Sequence, residues 1–189
     1  MIELGQTQNS DRNINDSIPS IYRVMATELL LRKPVNKDIE SMYIMLKNSL
    51  SPYLTANNSS SMNLQLIIER NIVEDYVKRD VYLCLVAEIN SEIAGWLAGS
   101  SNIEVLSEHS CSLGDFYIEE IVVDFPYRRK GIGSFLLREI TKDRLKAIVV
   151  DTPLVNKQAI TFYQKMGFVK VLGLSEEFNK TWARMSKPI

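Results

Sequence analysis

"RRKGIGSFLLREI", residues 128–140, is the stretch that decides how this chain reads. Three cations run into two glycines, and from Gly131 the apolar residues Ile132, Phe135, Leu136 and Ile140 recur at the helical period. Immediately before it, "IVVD" (121–124) has the β-branched pattern of a buried strand end, and "FPYRR" (125–129) supplies a turn. Strand, turn and helix are therefore predicted in that order. At such a junction the first helical N–H groups lack intrahelical partners and the helix dipole adds positive potential, so the natural guest is an anion, phosphate above all. Glycine at 131 and 133 would let a phosphate approach the backbone closely, and Arg128, Arg129 and Lys130 would add charge-assisted hydrogen bonds.

Composition bounds what surrounds this site. With 189 residues, 46% hydrophobic and 24% charged, the chain suits one globular domain with a proper core. A formal net charge of −1 gives no whole-molecule field for nucleic acid or an anionic membrane, so the basic triplet is a local feature. No apolar stretch reaches the length of a bilayer span, and the N-terminus lacks the pattern of a signal peptide, so a cytoplasmic location is expected. Two cysteines, Cys84 in "VYLCLVA" and Cys111 in a polar loop, are too few for a disulfide framework and are expected as reduced thiols. Met1–Ser20 is polar and rich in Asn, Asp and Ser, which divides the chain into a flexible tail, 1–25, and a domain, 26–189.

Strands and helices alternate through that domain. "ATELLLRKP" predicts a first strand stopped by Pro34, and "NKDIESMYIMLKNSL" a helix capped by Asn36, with apolar positions Ile39, Met42, Tyr43, Leu46 and Leu50. A Ser- and Asn-rich insert, 55–63, leads into a second helix near "LQLIIERNIVEDYV". "VYLCLVAEINSEIAGWLAGS" predicts a hairpin turning at Asn90 and Ser91, residues 101–114 a loop, and "FYIEEIVVD" the next strand. "KAIVVDT" is a further strand, "NKQAITFYQKM" a helix, and "FVKVLGL" with "KTWARMSK" a closing pair. Mixed α/β in one layered domain is the predicted class.

The loop at 128–133 matches neither GxxxxGK[ST] nor GxGxxG. It resembles the pyrophosphate loop of the GNAT superfamily of N-acetyltransferases, [R/Q]xxGx[G/A], as Arg128-Arg129-Lys130-Gly131-Ile132-Gly133. A second family-like segment follows, Asn156, Ala159, Tyr163, Gly167 and Phe168 falling in register with Nxx(A/S)xxxYxxxGF, and "TWARMSKPI" resembles the family's last strand. The resemblance covers about residues 26–187, with Pro126 one place later than usual and Arg129 where glycine is common. It implies a single-domain GNAT-like fold, a mixed, mostly antiparallel central sheet flanked by helices. It also implies direct transfer of the acetyl group of acetyl-coenzyme A to a primary amine of a small molecule or peptide. A non-catalytic acyl-coenzyme A-binding module of the same fold is the alternative, and monomer and homodimer both remain open.

Roles follow from the resemblance residue by residue. The strand end Ile121, Val122 and Val123 would hold the pantetheine arm through the main chain, like an added strand. Residues 128 to 133 with Ser134 would hold the pyrophosphate, and Asn156 the arm as well, although a helix cap is its ordinary use. Tyr163 would protonate the leaving thiolate, a phenol of pKa about 10 being matched to a thiol of about 8.5. Glu119 takes the place of the first acid in the LEDxxV strand of polyamine-type members and would bind or deprotonate the amine, with Glu120 and Asp151 as the other candidate bases. Alternation sends Glu119 and Glu120 to opposite faces, Glu119 sharing its face with Ile121 and Val123. His109 and Cys111 in "SEHSCS" lack any further ligand at metal spacing and read as a polar loop; no metal is expected. Trp96 reads as core. The acceptor wall would come from the first two helices, the 55–63 insert, residues 101–114 and the final hairpin around Glu176 and Glu177.

Overall fold

The computed structural model describes residues 20–24, 27–54, 70–140, 144–171 and 182–189. These residues hold one sheet of eight strands: β1 (Ser20–Val24), β2 (Thr27–Arg32), β3 (Leu83–Ile89), β4 (Glu92–Ser100), β5 (Asp115–Val123), β6 (Ala147–Pro153), β7 (Val169–Lys170) and β8 (Trp182–Pro188). Spatial order is β1-β2-β3-β4-β5-β6-β8-β7, and every neighbouring pair is antiparallel except β5 with β6. The helices are α1 (Ile39–Leu54), α2 (described over 70–78), α3 (Ile103–Glu108), α4 (Ile132–Arg138) and α5 (Lys157–Lys165). This is the α/β class predicted, a mixed, mostly antiparallel sheet flanked by helices.

The sheet has a core on each face. On one, α4 and α5 bury Ile132, Leu136 and Tyr163 against Ile118, Ile148, Val150 and Met185. On the other, α1 and α2 bury Met42, Leu46, Val73 and Tyr76 against Val86, Trp96 and Val122. Each fully buried large apolar side chain contributes about 1.5–3 kcal/mol relative to exposure. Trp96, fully buried, is a core residue as its sequence context predicts. The β3–β4 hairpin turns on Asn90 (φ 51°) and Ser91 (φ 65°), the left-handed pair of a two-residue turn whose twist matches the strands.

Three local expectations need correction. Residues 20–24, assigned to the tail, form β1 and pair with β2 from Ser20↔Leu31 to Val24↔Thr27, because "SIYRV" carries enough β-branched and aromatic character to extend the sheet edge. Residues 1–19 lie outside the described residues, as do the 55–63 insert and 172–181 of the closing pair. The loop 101–114 contains α3, capped by Asn102 accepting the Glu104 N–H at 2.9 Å and burying Val105 and Leu106. Asn36 does not cap α1. The chain enters α1 through a 3-10 turn, Asn36–Asp38, in which the Asp38 carboxylate accepts the Val35 N–H at 2.7 Å.

Asp38 can take that role because Arg32 holds it, at 2.7 Å, while the same guanidinium pairs with Glu88 on β3 at 2.7 Å. The start of α1 is thereby tied to two strands. Burial pushes the Asp38 pKa up, but the hydrogen bonds from Arg32 and the Val35 N–H together with the charges of Arg32 and Lys37 outweigh it, and the net shift is downward.

β5 carries the feature that shapes the site. Its ladder with β4 shifts between Ala98↔Glu120 and Gly99↔Ile118, so Glu119 is the extra residue of a β-bulge. Its parallel ladder with β6 runs only from Asp115↔Ala147 to Ile118↔Val150. Beyond that point β5 continues to Val123 and β6 to Pro153 without pairing to each other, and the two strands part. Gly99 stands opposite the bulge, where an added Cβ would lie 2.4 Å from the Phe116 ring and 2.5 Å from the Tyr117 carbonyl.

Two stability predictions arise here. Gly99→Ala should lose about 1–3 kcal/mol through forced overpacking, read from urea denaturation; a wild-type midpoint would show that the bulge relaxes freely. For Asp38, a lowered folded-state pKa means stability present above the unfolded value near pH ~4 and lost as pH falls through the folded one. The stability gap between wild type and Asp38→Asn should therefore narrow on acidification below pH ~4, and a gap constant with pH would count against the Arg32 pairing.

Candidate active site

The turn after β5 is built from local rules. Asp124 accepts the Phe125 N–H at 2.9 Å and opens a 3-10 turn over Phe125–Tyr127, with Pro126 inside it. Arg128 then folds back, its Nε donating to the Val123 carbonyl at 3.0 Å and its guanidinium carbon 5.7 Å from the Phe125 ring centre. Lys130 Nζ stands 5.3 Å from the Tyr127 ring centre. Arg129 (φ 65°) and Gly131 (φ 86°) are both left-handed, and Gly131 is the N-cap residue of α4. Residues 128–131 are exposed, so three cations flank an accessible helix start.

The two glycines do different work. At Gly131 an added Cβ would meet nothing nearer than the Phe135 ring at 3.7 Å, so the requirement is the left-handed backbone itself. At Gly133 a Cβ would come within 3.2 Å of the Phe162 ring, so this glycine permits α4 to pack on α5. Ile132 is 2% exposed, which leaves only its backbone to a ligand, and Ser134 follows it, half-buried, in the first turn.

Beside this turn lies the parted segment of β5. Ile121 and Val123 pack toward the α4/α5 core and Val122 into the α1/α2 core, so the side chains are occupied. What faces the gap toward β6 is main chain, an edge able to pair with an extended, amide-bearing ligand. Asn156 caps α5, its Oδ1 accepting the Ala159 N–H at 3.0 Å; the NH2 end is the part that could donate to a ligand.

Tyr163, on α5, is 4% exposed, with the Phe162 and Phe168 ring centres each 5.3 Å away. Burial, and then the charge of Glu120, push its pKa well above the ordinary phenol value, so it stays protonated.

The bulge overturns the expected parity of the two glutamates. Ile118 and Ile121 both face the α4/α5 core although three residues apart, which strict alternation forbids, and Glu119 and Glu120 fall between them. Glu119 therefore does not share the face of Ile121 and Val123. Its Oε1 lies 3.1 Å from His109 Nε2, and the His109 ring stacks on Tyr117 at 3.8 Å and 14°. The Tyr117 hydroxyl donates to Asp151 Oδ2 at 3.2 Å, and Arg184 grips Asp151 through Nε and Nη2 at 2.8 and 2.7 Å. Arg184 Nη2 also donates to the His109 carbonyl at 2.7 Å. Asp151 is thus committed to a buried ion pair, which removes it as a ready base.

His109, read from sequence as part of a polar loop, is the neighbour that reading missed. The chain's single histidine stands ten residues before Glu119, and only the fold of α3 back onto β5 turns that separation into contact. Burial and then the charge of Glu120 also push the Tyr76 hydroxyl up, and Glu119 adds to this, so both carboxylates act on the α1/α2 side of the sheet.

Comparison with known proteins agrees with this geometry. The model of the acetyltransferase (GNAT) family matches residues 44–168. N-alpha-acetyltransferase 30 of Dictyostelium discoideum is 27% identical over 125 residues, 60% of this chain and 64% of that protein. L-ornithine N5-acetyltransferase NATA1 of Arabidopsis thaliana is 32% identical over 133 residues, 65% of this chain and 55% of that protein. The chain spans less than two thirds of the length of these curated relatives. Among solved structures, the PaiA N-acetyltransferase of Thermoplasma acidophilum in complex with coenzyme A has the same fold, with a TM-score of 0.66 at 16% identity, covering 85% of this chain and 99% of that one. The family uses acetyl-coenzyme A as cosubstrate. A family model matching about two thirds of the chain, on a sheet that parts beside a glycine-led helix start, makes this protein a member of the GNAT acetyltransferase family.

Proposed function

We propose that this protein transfers the acetyl group of acetyl-coenzyme A directly to a primary amine of a small molecule or peptide. The observation that carries this reading is the parting of β5 from β6 at Ile118↔Val150, which leaves an open main-chain edge on the strand that carries Glu119 and leads into the Gly131 turn; we place Tyr163 of α5 at the same gap. The thioester supplies an activated acyl group. Ile121–Val123 bind its amide-bearing arm as an added strand, Asn156 donates to that arm, and the backbone of residues 131–134 with the exposed side chains of Arg128, Arg129 and Lys130 holds the pyrophosphate. Names of relatives refer to an alpha-amine and to the N5 nitrogen of ornithine, which supports an amine nitrogen as acceptor.

In the reaction a C–N bond forms as the C–S bond breaks. Glu119 accepts a proton from the ammonium, directly or through water, freeing the nucleophilic lone pair. Tyr163, kept protonated by burial, donates its proton to the sulfur as it leaves, and the second proton that the nitrogen sheds on becoming an amide returns to the phenolate oxygen. Because Glu119 is 13% exposed and bound to His109, its carboxylate is held in place rather than free to rotate in solvent. Glu120 is the alternative base, on the same segment of β5.

Gly131→Val should weaken acetyl-coenzyme A binding by at least ~10-fold in calorimetry, because valine at φ 86° must rebuild the turn. Wild-type affinity would displace the pyrophosphate site from this loop. Tyr163→Phe keeps the packing but removes the proton. The rate on an acceptor drawn from a panel of ornithine, polyamines and peptides should fall roughly 10- to 1,000-fold, about 1.4–4 kcal/mol, with cofactor affinity unchanged. Glu119→Gln should lose rate at neutral pH and recover part of it as pH rises and more amine is free, whereas Tyr163→Phe should not recover. Cofactor binding without turnover on any amine would favour a binding module over an enzyme.

A further inference from the structure

We propose that His109 is the proton-exit partner of Glu119, carrying to solvent the proton that Glu119 takes from each acceptor amine. The inference rests on the reading of Glu119 as base and adds a residue to that site. A base that is 13% exposed must be reset before the next turnover, and the imidazole 3.1 Å from it is 28% exposed, so His109 bridges the sheltered carboxylate to water.

The ring is fastened where a relay needs it. Tyr117 supports one face at 3.8 Å, Asp151 holds the Tyr117 hydroxyl, and Arg184 binds both Asp151 and the carbonyl of His109 itself. Arg184 Nη1 adds a longer bond, 3.4 Å, to the Ser110 carbonyl in the same turn. Among the described residues, Glu119 and Tyr117 from β5 contact the ring, and Asp151 from β6 and Arg184 from β8 stand behind them through Tyr117 and the His109 carbonyl. Cys111 lies within its own turn, its Sγ 3.7 Å from the His109 carbonyl, and the charges of Glu119 and Glu108 both act on the Tyr82 phenol nearby.

The proton balance is simple. In the resting pair Nε2–H donates to the Glu119 carboxylate; as the ammonium N–H bond breaks and Glu119 becomes a carboxylic acid, the ring exchanges through solvent to its Nδ1–H tautomer, Nε2 accepts the acid proton, and Nδ1 releases its own to water. Glu119 is again a carboxylate and the ring again carries its proton on Nε2. His109 does not touch the reacting atoms; it acts through Glu119.

The test compares wild type, His109→Gln and Glu119→Gln on the amine that the acceptor panel returns, over a range of imidazole concentrations. His109→Gln should lower kcat by ~10-fold or more with KM changed less than ~2-fold, and added imidazole should restore most of that rate while leaving wild type and Glu119→Gln unmoved. Long-range 1H–15N NMR of the chain's single imidazole should show its Nε2 signal displaced in Glu119→Gln, which checks the contact without any turnover. An undiminished kcat in His109→Gln, a loss that imidazole does not restore, or an Nε2 signal indifferent to Glu119→Gln overturns the relay. A wild-type rate in Glu119→Gln instead overturns the base assignment beneath it.

Discussion

The rest of this structure depends on one constraint, that β5 cannot stay paired with β6 beyond Ile118. At that point the extra residue Glu119 breaks the register with β4, and a bulged strand twists and bends away from its neighbour. The parting has two results at once. It opens a main-chain edge on β5 where a sheet would ordinarily be closed, and it turns two carboxylates out of an otherwise apolar strand without burying both charges in a core. Gly99 makes the bulge possible from the other side, since any larger residue there would strike Phe116 and the Tyr117 backbone.

Everything around the gap is braced. On one side α4 begins at a left-handed glycine and is anchored by Ile132 and Leu136, so the exposed helix start is carried by a fixed body. On the other, Arg184 and Asp151 form a buried bidentate pair that is stable only because Tyr117 and the turn after α3 use the remaining donors and acceptors. The triad of Arg32, Asp38 and Glu88 does the same for α1. Rigid supports of this kind favour chemistry that relies on placing two reactants in line, which is what direct acyl transfer needs.

Tyr163 and Glu119 lie in environments of opposite kind. Tyr163 sits in an apolar layer of aromatic rings that disfavours its anion, while Glu119 is partly open and bound to an imidazole. The roles of acid and base proposed for them draw on that difference. The two residues are contributed by different elements, α5 and β5, and Tyr163 is part of the core by which α5 packs on the sheet.

What the amino-acid sequence determined by itself is whatever local rules control. Apolar periodicity marked the strands and helices, Asn90 and Ser91 the hairpin turn, and Gly131 with the apolar residues after it the start of α4, because each signal lies within a dozen residues and acts through backbone geometry. Even missed elements left local traces, Asn102 before α3 and the β-branched "SIYRV" of β1 among them. Tertiary structure alone decided the parity of Glu119 and Glu120, the capture of Asp151 by Arg184 and the placing of His109 against Glu119. A bulge is a mismatch between two strands and an ion pair across 33 residues is a meeting of two others, so neither exists until the chain has folded.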